Sequence, residues 1–79
     1  MKNPVDVELG KLVRETRKTI SMTQTQLAEA SGVKFQQIQK YEVGANRISA
    51  SRLVAIARAM GTSPGLLIDK AAHRAKSKW

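Results

Sequence analysis

Apolar residues recur along this chain at the spacing of amphipathic helices. After Asn3-Pro4, a pair typical of a helix N-cap followed by proline at the first helical position, apolar residues return every three or four positions as far as Ile20. A similar segment follows Ser49 and stops at Gly61, and Ser63-Pro64 then repeats the cap-and-proline start. No segment alternates apolar and polar residues in the manner of a half-buried strand. The pattern predicts an all-α fold.

Two short helices are predicted between these longer ones. Thr23 is placed to cap the first of them, which stops at Gly32, where glycine accepts a positive φ without steric cost. The second begins directly after this turn and ends at Val43-Gly44. Two short helices joined by a three- or four-residue turn that contains glycine form a helix-turn-helix motif. We therefore predict a compact five-helix domain over residues 1–69, followed by a basic tail at residues 70–79.

The charge of the chain narrows the choice of partner. Fourteen lysine and arginine residues against six acidic ones give a net charge of +8 and a pI near 10.5, which favours a polyanion, with nucleic acid ahead of an anionic membrane. There is no cysteine, and the single His73 cannot form a metal-binding or catalytic cluster. The longest aliphatic run, Leu66–Ile68, is far shorter than the ~20 apolar residues of a membrane span. We expect a cytoplasmic, nucleoid-associated protein that is not an enzyme and needs no metal or cofactor.

The third predicted helix carries the most informative polar face. With about 100° between successive residues and Ile38 pointing inward, Gln36 and Lys40 lie near the opposite side and Gln37 flanks them. Glutamine can donate to and accept from adenine in one bidentate contact, and lysine can reach guanine O6 and N7. A solvated helix usually mixes glutamate with lysine, whereas this helix has no acid before Glu42. We predict that this face reads bases in the major groove.

Phe35 has two open interpretations at the start of that helix. It lies about 60° from Ile38, where it either covers the edge of the core or contacts a thymine methyl group. Phosphate contacts are expected where free amides meet the positive end of a helix dipole and where basic residues lie at helix starts or in loops. The candidate phosphate ligands are Thr23, Gln24, Lys34, Asn46 and Arg47.

A second copy of the chain is expected from the size of the reading helix. One such helix covers only about four to six base pairs, and dimeric readers place two half-sites about one helical turn, ~34 Å, apart. Three consecutive aliphatic residues in the fifth helix point in different directions, so they cannot all be internal unless the basic tail covers them. The predicted dimer surface consists of Val54, Leu66, Leu67 and Ile68. The tail itself is consistent with an extension of the fifth helix, a solvated segment, or a contact to phosphate or to the second subunit.

Three stretches, MTQTQLAEASGV, FQQIQKYEVG and LVAIARAMGTSPGLL, resemble the helix-turn-helix domain of phage repressor and Cro proteins, the XRE-like family. The resemblance covers roughly residues 9–69. It implies a five-helix domain that binds operator DNA as a twofold dimer, with the third helix in the major groove. It also implies that Gln24 contacts the backbone and supports a reading glutamine, and that Arg17 pairs with Glu42. The residues that it implies in base contact are Phe35, Gln36, Gln37 and Lys40, and those in phosphate contact include Asn46 and Arg47.

Three positions depart from the pattern of that family. Val43 stands where asparagine or arginine often provides a phosphate contact, Lys34 where serine or threonine often caps the third helix, and Ser31 where an apolar residue is common. None of them changes the predicted fold. Val43 removes one expected phosphate contact, Lys34 leaves the third helix without its usual side-chain cap, and Ser31 slightly weakens the core at the end of the second helix.

The pattern and the resemblance favour a sequence-specific regulator of transcription, most simply a repressor or autoregulator. An alternative is an antitoxin-type or other interaction protein for which DNA is only one partner, with a toxin or the transcription machinery as the other. A third alternative is sequence-independent binding of nucleic acid through charge alone. Mutation of the glutamines distinguishes the first from the third, because charge-driven binding does not depend on them.

Overall fold

Five α helices and no strand make up residues 2–76, the part of the chain that the computed structural model describes. The all-α prediction is confirmed, and the helices begin and end close to the positions expected from the caps. The bounds are α1 Pro4–Thr19, α2 Gln24–Ser31, α3 Phe35–Glu42, α4 Ala50–Ala59 and α5 Pro64–Ala75.

Side-chain caps fix the starts of four helices. The Asn3 side chain accepts a hydrogen bond from the Val5 amide at 2.8 Å, and Thr23 and Gln26 form a reciprocal capping box at the start of α2. At the starts of α4 and α5, the hydroxyl groups of Ser49 and Ser63 each accept one hydrogen bond from a backbone amide three positions along. Lys34, at the N-cap position of α3, makes no side-chain cap. The position of α3 therefore depends on tertiary contacts more than on its own local sequence.

A single core lies between the five helices. The largest fully buried side chains, Val13, Leu27, Ile38 and Ile56, come from the first four helices, and Leu67 closes the core from α5. The α5 helix packs along α1, and α3 crosses α1 closely at Gly10. A Cβ atom on Gly10 would overlap the carbonyl oxygen of Tyr41 and lie 3.2 Å from its carbonyl carbon. The absence of a side chain at this position is what allows α1 and α3 to approach so closely.

Two features of α5 correct the predictions. The boundary placed after residue 69 does not correspond to a break, because α5 continues to Ala75 and fully buries both Ala71 and Ala75. Because the side chains at these two positions are small, the basic segment can pack closely against the rest of the domain and does not form a solvated tail. Leu67, predicted in the dimer surface, is 2% exposed and belongs to the core. Residues 77–79 of the predicted tail lie outside the described residues.

Candidate nucleic-acid interface

The turn between α2 and α3 sets the angle of the motif. Gly32 adopts φ 74°, and its amide donates to the Ala28 carbonyl at 3.0 Å. The Ser31 hydroxyl accepts a hydrogen bond from the Val33 amide at 3.3 Å, so the polar residue that departs from the family pattern supports the turn. Val33 is buried and joins the core with Ile38. A left-handed glycine and a buried valine thus place the start of α3 directly against α2.

One side of α3 is buried and the other faces solvent. Ile38 is completely buried and Tyr41 nearly so, whereas Gln36 and Lys40 are exposed and Gln37 is half-buried. Val43, directly after the helix, is 68% exposed. The structure therefore places the predicted base-reading glutamines and lysine on the accessible side of α3.

The one acid of α3 is buried and paired. Glu42 is 5% exposed and accepts two hydrogen bonds from Arg17, from Nε at 2.8 Å and from Nη2 at 2.9 Å. These hydrogen bonds hold the pKa of Arg17 above its usual range. Arg17 also donates to the Met22 carbonyl, and Gln24 donates from Nε2 to Glu42 at 3.0 Å. The structure thus contains the ion pair that the family resemblance implies, and its carboxylate adds no exposed negative charge to α3.

The same network includes Gln24. One N–H of its side-chain amide is donated to Glu42, so the side chain links the start of α2 to the end of α3. Its second N–H and its carbonyl oxygen make no hydrogen bond within the described residues, and the implied support of a reading glutamine stays a prediction. The backbone amides at the start of α2 remain where a phosphate could approach them.

Phe35 lies at the edge of an open cleft beside the start of α2. It is 38% exposed, and the cleft is about 490 Å³ in volume. The cleft is also lined by Thr23 and Gln24 at the start of α2 and by Lys18 and Ser21 around the end of α1. Phe35 is thus only partly covered, and part of its side chain stays accessible in the cleft. The spacing of α1 alone could not have shown that Lys18 faces this cleft, because the position of a surface lysine depends on how α1 packs against α2.

The loop that follows α3 forms a second basic region. Asn46 and Arg47 are exposed, and the Arg47 Nε donates to Asp6 Oδ2 at 2.8 Å. Gly44 lies against Val7 of α1: a Cβ atom added to Gly44 would be 3.4 Å from the Val7 Cγ2 atom. This loop is therefore docked on the first turns of α1. Sequence reasoning missed Asp6 as a partner, because 41 positions separate it from Arg47.

The two candidate phosphate regions lie at opposite ends of α1. Phe35, at the start of α3, shares the cleft with the end of α1, and Gly44, just past the end of α3, lies on its first turns. Val7 and Lys18 are 11 residues apart along α1, which corresponds to roughly 16 Å. The exposed side of α3 therefore lies between the two regions.

No helix within residues 2–76 is both long enough and apolar enough to cross a bilayer. No group of three acidic or histidine side chains in that range could hold a metal ion.

The fold and this site define a DNA-binding helix-turn-helix domain. The family model for helix-turn-helix proteins matches residues 13–67, and the chain belongs to this family. The predicted resemblance to phage repressor and Cro domains is confirmed. The chain is 41% identical over 76 residues to an uncharacterized HTH-type transcriptional regulator of Sinorhizobium fredii, covering 96% of this chain and 53% of the relative. It is 55% identical over 56 residues to an uncharacterized transcriptional regulator in the ATPase CF(0) region of Rhodospirillum rubrum, covering 71% and 52%.

Similar solved structures come from two bacterial regulators. The restriction-modification controller protein C.AhdI of Aeromonas hydrophila superposes with a TM-score of 0.75 at 28% identity, covering 77% of this chain and 92% of that one. The clp gene regulator ClgR of C. glutamicum superposes with a TM-score of 0.82 at 28% identity, covering 89% and 91%. The relatives are named as transcriptional regulators, and the family is one of DNA-binding proteins and not of enzymes. The chain spans about half the length of the curated relatives that it matches.

Proposed function

We propose that this chain is a sequence-specific transcriptional regulator, most simply a repressor or autoregulator, that binds an inverted-repeat operator as a homodimer with α3 in the major groove. The observation that carries the proposal is the composition of the exposed side of α3. Gln36 and Lys40 are accessible there, while the acid of the same helix, Glu42, is buried and neutralised by Arg17. A helix that is held rigidly by its inner side and presents amide and ammonium groups without negative charge fits base reading.

Phosphate binding is assigned to both ends of the reading helix. Thr23 and the amide of Gln24 lie in the cleft with Phe35, and Asn46 and Arg47 lie in the loop past the other end. Lys34, exposed at the N-cap position, provides a further cation. Contacts of this kind fix the register of the protein on DNA without reading the sequence. In this proposal Phe35 contacts a thymine methyl group with the exposed part of its side chain.

Dimerisation is assigned to the exposed aliphatic residues of the last two helices. Leu66 and Ile68 are 47% and 45% exposed, and Val54 is half-buried. Two residues apart on a helix correspond to about 200°, so Leu66 and Ile68 lie on different sides of α5. Leu66 borders a cleft with Ile20, the residue directly after α1. A single twofold contact can therefore be centred on one of these two residues but not on both.

Selection of bound duplexes from a random DNA pool at about physiological salt tests the proposed function. The expected result is an inverted repeat whose half-sites are about ten base pairs apart. Recovery of no motif, together with affinity that collapses as salt rises, would show that charge alone holds the DNA.

The reading helix is tested on the selected operator with a matched pair of variants. Gln36→Ala is expected to weaken operator binding by ~1–3 kcal/mol and to leave binding of random duplex unchanged. Gln39→Ala makes the same chemical change at another exposed position of α3 that carries no assigned base contact. Equal losses on operator and random DNA for Gln36→Ala, or a larger operator loss for Gln39→Ala, would contradict the assignment.

The dimer surface is tested by sedimentation equilibrium of Leu66→Ser and Ile68→Ser. One of the two variants should become monomeric while the other keeps the oligomeric state of the wild type. A wild-type chain that is monomeric even on operator DNA would remove the dimer from the proposal and leave the reading helix untouched.

A further inference from the structure

Arg47 has an acidic partner that phosphate binding does not require. Its Nε atom donates to Asp6 Oδ2 at 2.8 Å, which connects the loop after α3 to the first turn of α1. A carboxylate beside a phosphate-binding arginine repels the phosphate, so it weakens binding unless it contributes something else. We propose that Asp6 is a positioning residue that holds the Arg47 guanidinium ready for a DNA phosphate. This inference rests on the proposed function and adds to it a residue that determines affinity.

The way in which the pair is made favours positioning over competition. A guanidinium has five N–H donors, and phosphate is bound most strongly by two parallel donors on one edge. Asp6 accepts from Nε alone, and the hydrogen bonds of the described chain include none from Nη1 or Nη2 of Arg47. At Arg17, by contrast, Glu42 takes both Nε and Nη2. The edge of Arg47 that carries the two Nη atoms therefore stays available.

Exposure explains why such a partner is useful. The Arg47 side chain is 73% exposed, so without a partner it would sample many rotamers, and ordering them on binding opposes affinity. Asp6 is only 23% exposed and lies in the first turn of α1, where the helix dipole favours negative charge. The Asp6 side chain is thus the more restricted of the two, and its hydrogen bond limits the rotamers of the more exposed Arg47 side chain.

The surroundings of the pair are suited to an anion. Asp6 and Arg47 line a cleft of about 350 Å³ together with Lys2 and Asn3 at the start of α1 and the backbone at Gly44. A phosphate oxygen in this cleft would meet Arg47 and the exposed Lys2, while Asp6 is already satisfied by the Nε bond. The cleft lies past the end of α3, as expected for a contact to the strand that flanks the reading helix.

The test compares removal of the acid with removal of a charge elsewhere. Asp6→Ala, Asp6→Asn and the control Glu29→Ala each remove one negative charge, and Glu29 is an exposed residue of α2. Coulombic attraction alone predicts that all three bind DNA more tightly. Positioning predicts that Asp6→Ala binds operator and random duplex about two- to tenfold more weakly than wild type, in spite of its added positive charge. Asp6→Asn keeps an acceptor oxygen for the Nε donor and should bind at least as tightly as wild type.

A second set of variants isolates the dependence on Arg47. In an Arg47→Ala background, Asp6→Ala should no longer weaken binding. Arg47→Lys keeps the charge but lacks the Nε donor and the bidentate edge, so its affinity should fall most of the way to that of Arg47→Ala. Because Arg47 is largely exposed, this variant tests whether the guanidinium itself is needed even if Asp6→Ala melts below the assay temperature.

The outcomes separate this inference from the proposed function. Unchanged or tighter binding by Asp6→Ala, or wild-type affinity for Arg47→Lys, would overturn the positioning role while leaving operator recognition intact. An Arg47→Ala variant with wild-type affinity would overturn it as well, because Arg47 would then hold no phosphate. Absence of any DNA binding by the wild-type chain would refute the proposed function and this inference together.

Discussion

The buried network of Arg17, Glu42 and Gln24 should dominate the stability of this small domain. The Arg17 and Glu42 side chains are only 10% and 1% exposed, and three hydrogen bonds of 2.8 to 3.0 Å converge on the Glu42 carboxylate. Removing one partner of a buried ion pair leaves an uncompensated charge and typically costs about 3–5 kcal/mol. A domain of 79 residues has a total stability of only about 4–12 kcal/mol.

The perturbation is a double-mutant cycle of Arg17→Met, Glu42→Leu and the two combined. We expect each single variant to lower the free energy of unfolding by about 3–5 kcal/mol. The combined variant removes both charges at similar volume and should lose only about 1–3 kcal/mol, because it leaves the Gln24 amide and the Met22 carbonyl without their partners. The coupling free energy should therefore exceed about 2 kcal/mol.

Urea denaturation followed by circular dichroism at neutral pH measures this cycle. With a slope of about 1 kcal/mol per molar urea for so small a domain, each single variant should unfold at a midpoint lowered by about 3 M or more. Losses that add to within about 0.5 kcal/mol in the combined variant would refute the coupling, as would a single-variant cost below about 1 kcal/mol. A changed slope would indicate a change in the denatured state and not in the network.

Two further predictions follow from other contacts. Gly10→Ala should destabilise the domain by about 1–3 kcal/mol in thermal melts, because the added Cβ would overlap the Tyr41 carbonyl. The control Gly65→Ala should be neutral or slightly stabilising, because its added Cβ would lie at an ordinary contact distance, 3.5 Å from the Ser63 hydroxyl oxygen. The hydrogen bonds from Arg74 lower the pKa of Glu15, so this pair contributes stability above the ordinary glutamate value of about 4.3 and loses it as the pH falls through the lowered value. Titration by NMR should show the Glu15 pKa rising toward its ordinary value in Arg74→Ala, and an unchanged titration would contradict the pairing.

Much of the fold followed from signals that lie within a few residues of one another. The start of α1 at Asn3-Pro4 and of α2 at Thr23 was predictable, because a cap acts on amides two or three positions away. Gly32 was predictable as the turn, because a positive φ favours glycine. The inward position of Ile38, and with it the outward position of Gln36, followed from helical spacing alone.

The sequence was less informative wherever one helix meets another. The burial of Leu67 could not be distinguished from that of Leu66 and Ile68, because all three are aliphatic and only the packing of α5 on α1 decides which one points inward. The same packing buries Ala71 and Ala75, so of the interpretations that the sequence left open for this segment the structure shows an extension of α5 as far as Ala75.

The polar contacts that shape the interface were decided by the tertiary structure. Arg17 and Glu42 are 25 positions apart, and they meet because α3 packs on α1. Arg47 and Asp6 are 41 positions apart, and they meet because the loop after α3 packs on the start of α1. The family resemblance implied the first pair, but nothing in the spacing of residues indicated the second. Local sequence determined where each helix begins and which side of it is apolar, since those properties depend on neighbouring residues. The tertiary structure determined which charges are paired and which remain available to DNA, since an ion pair depends on distances in space and not along the chain.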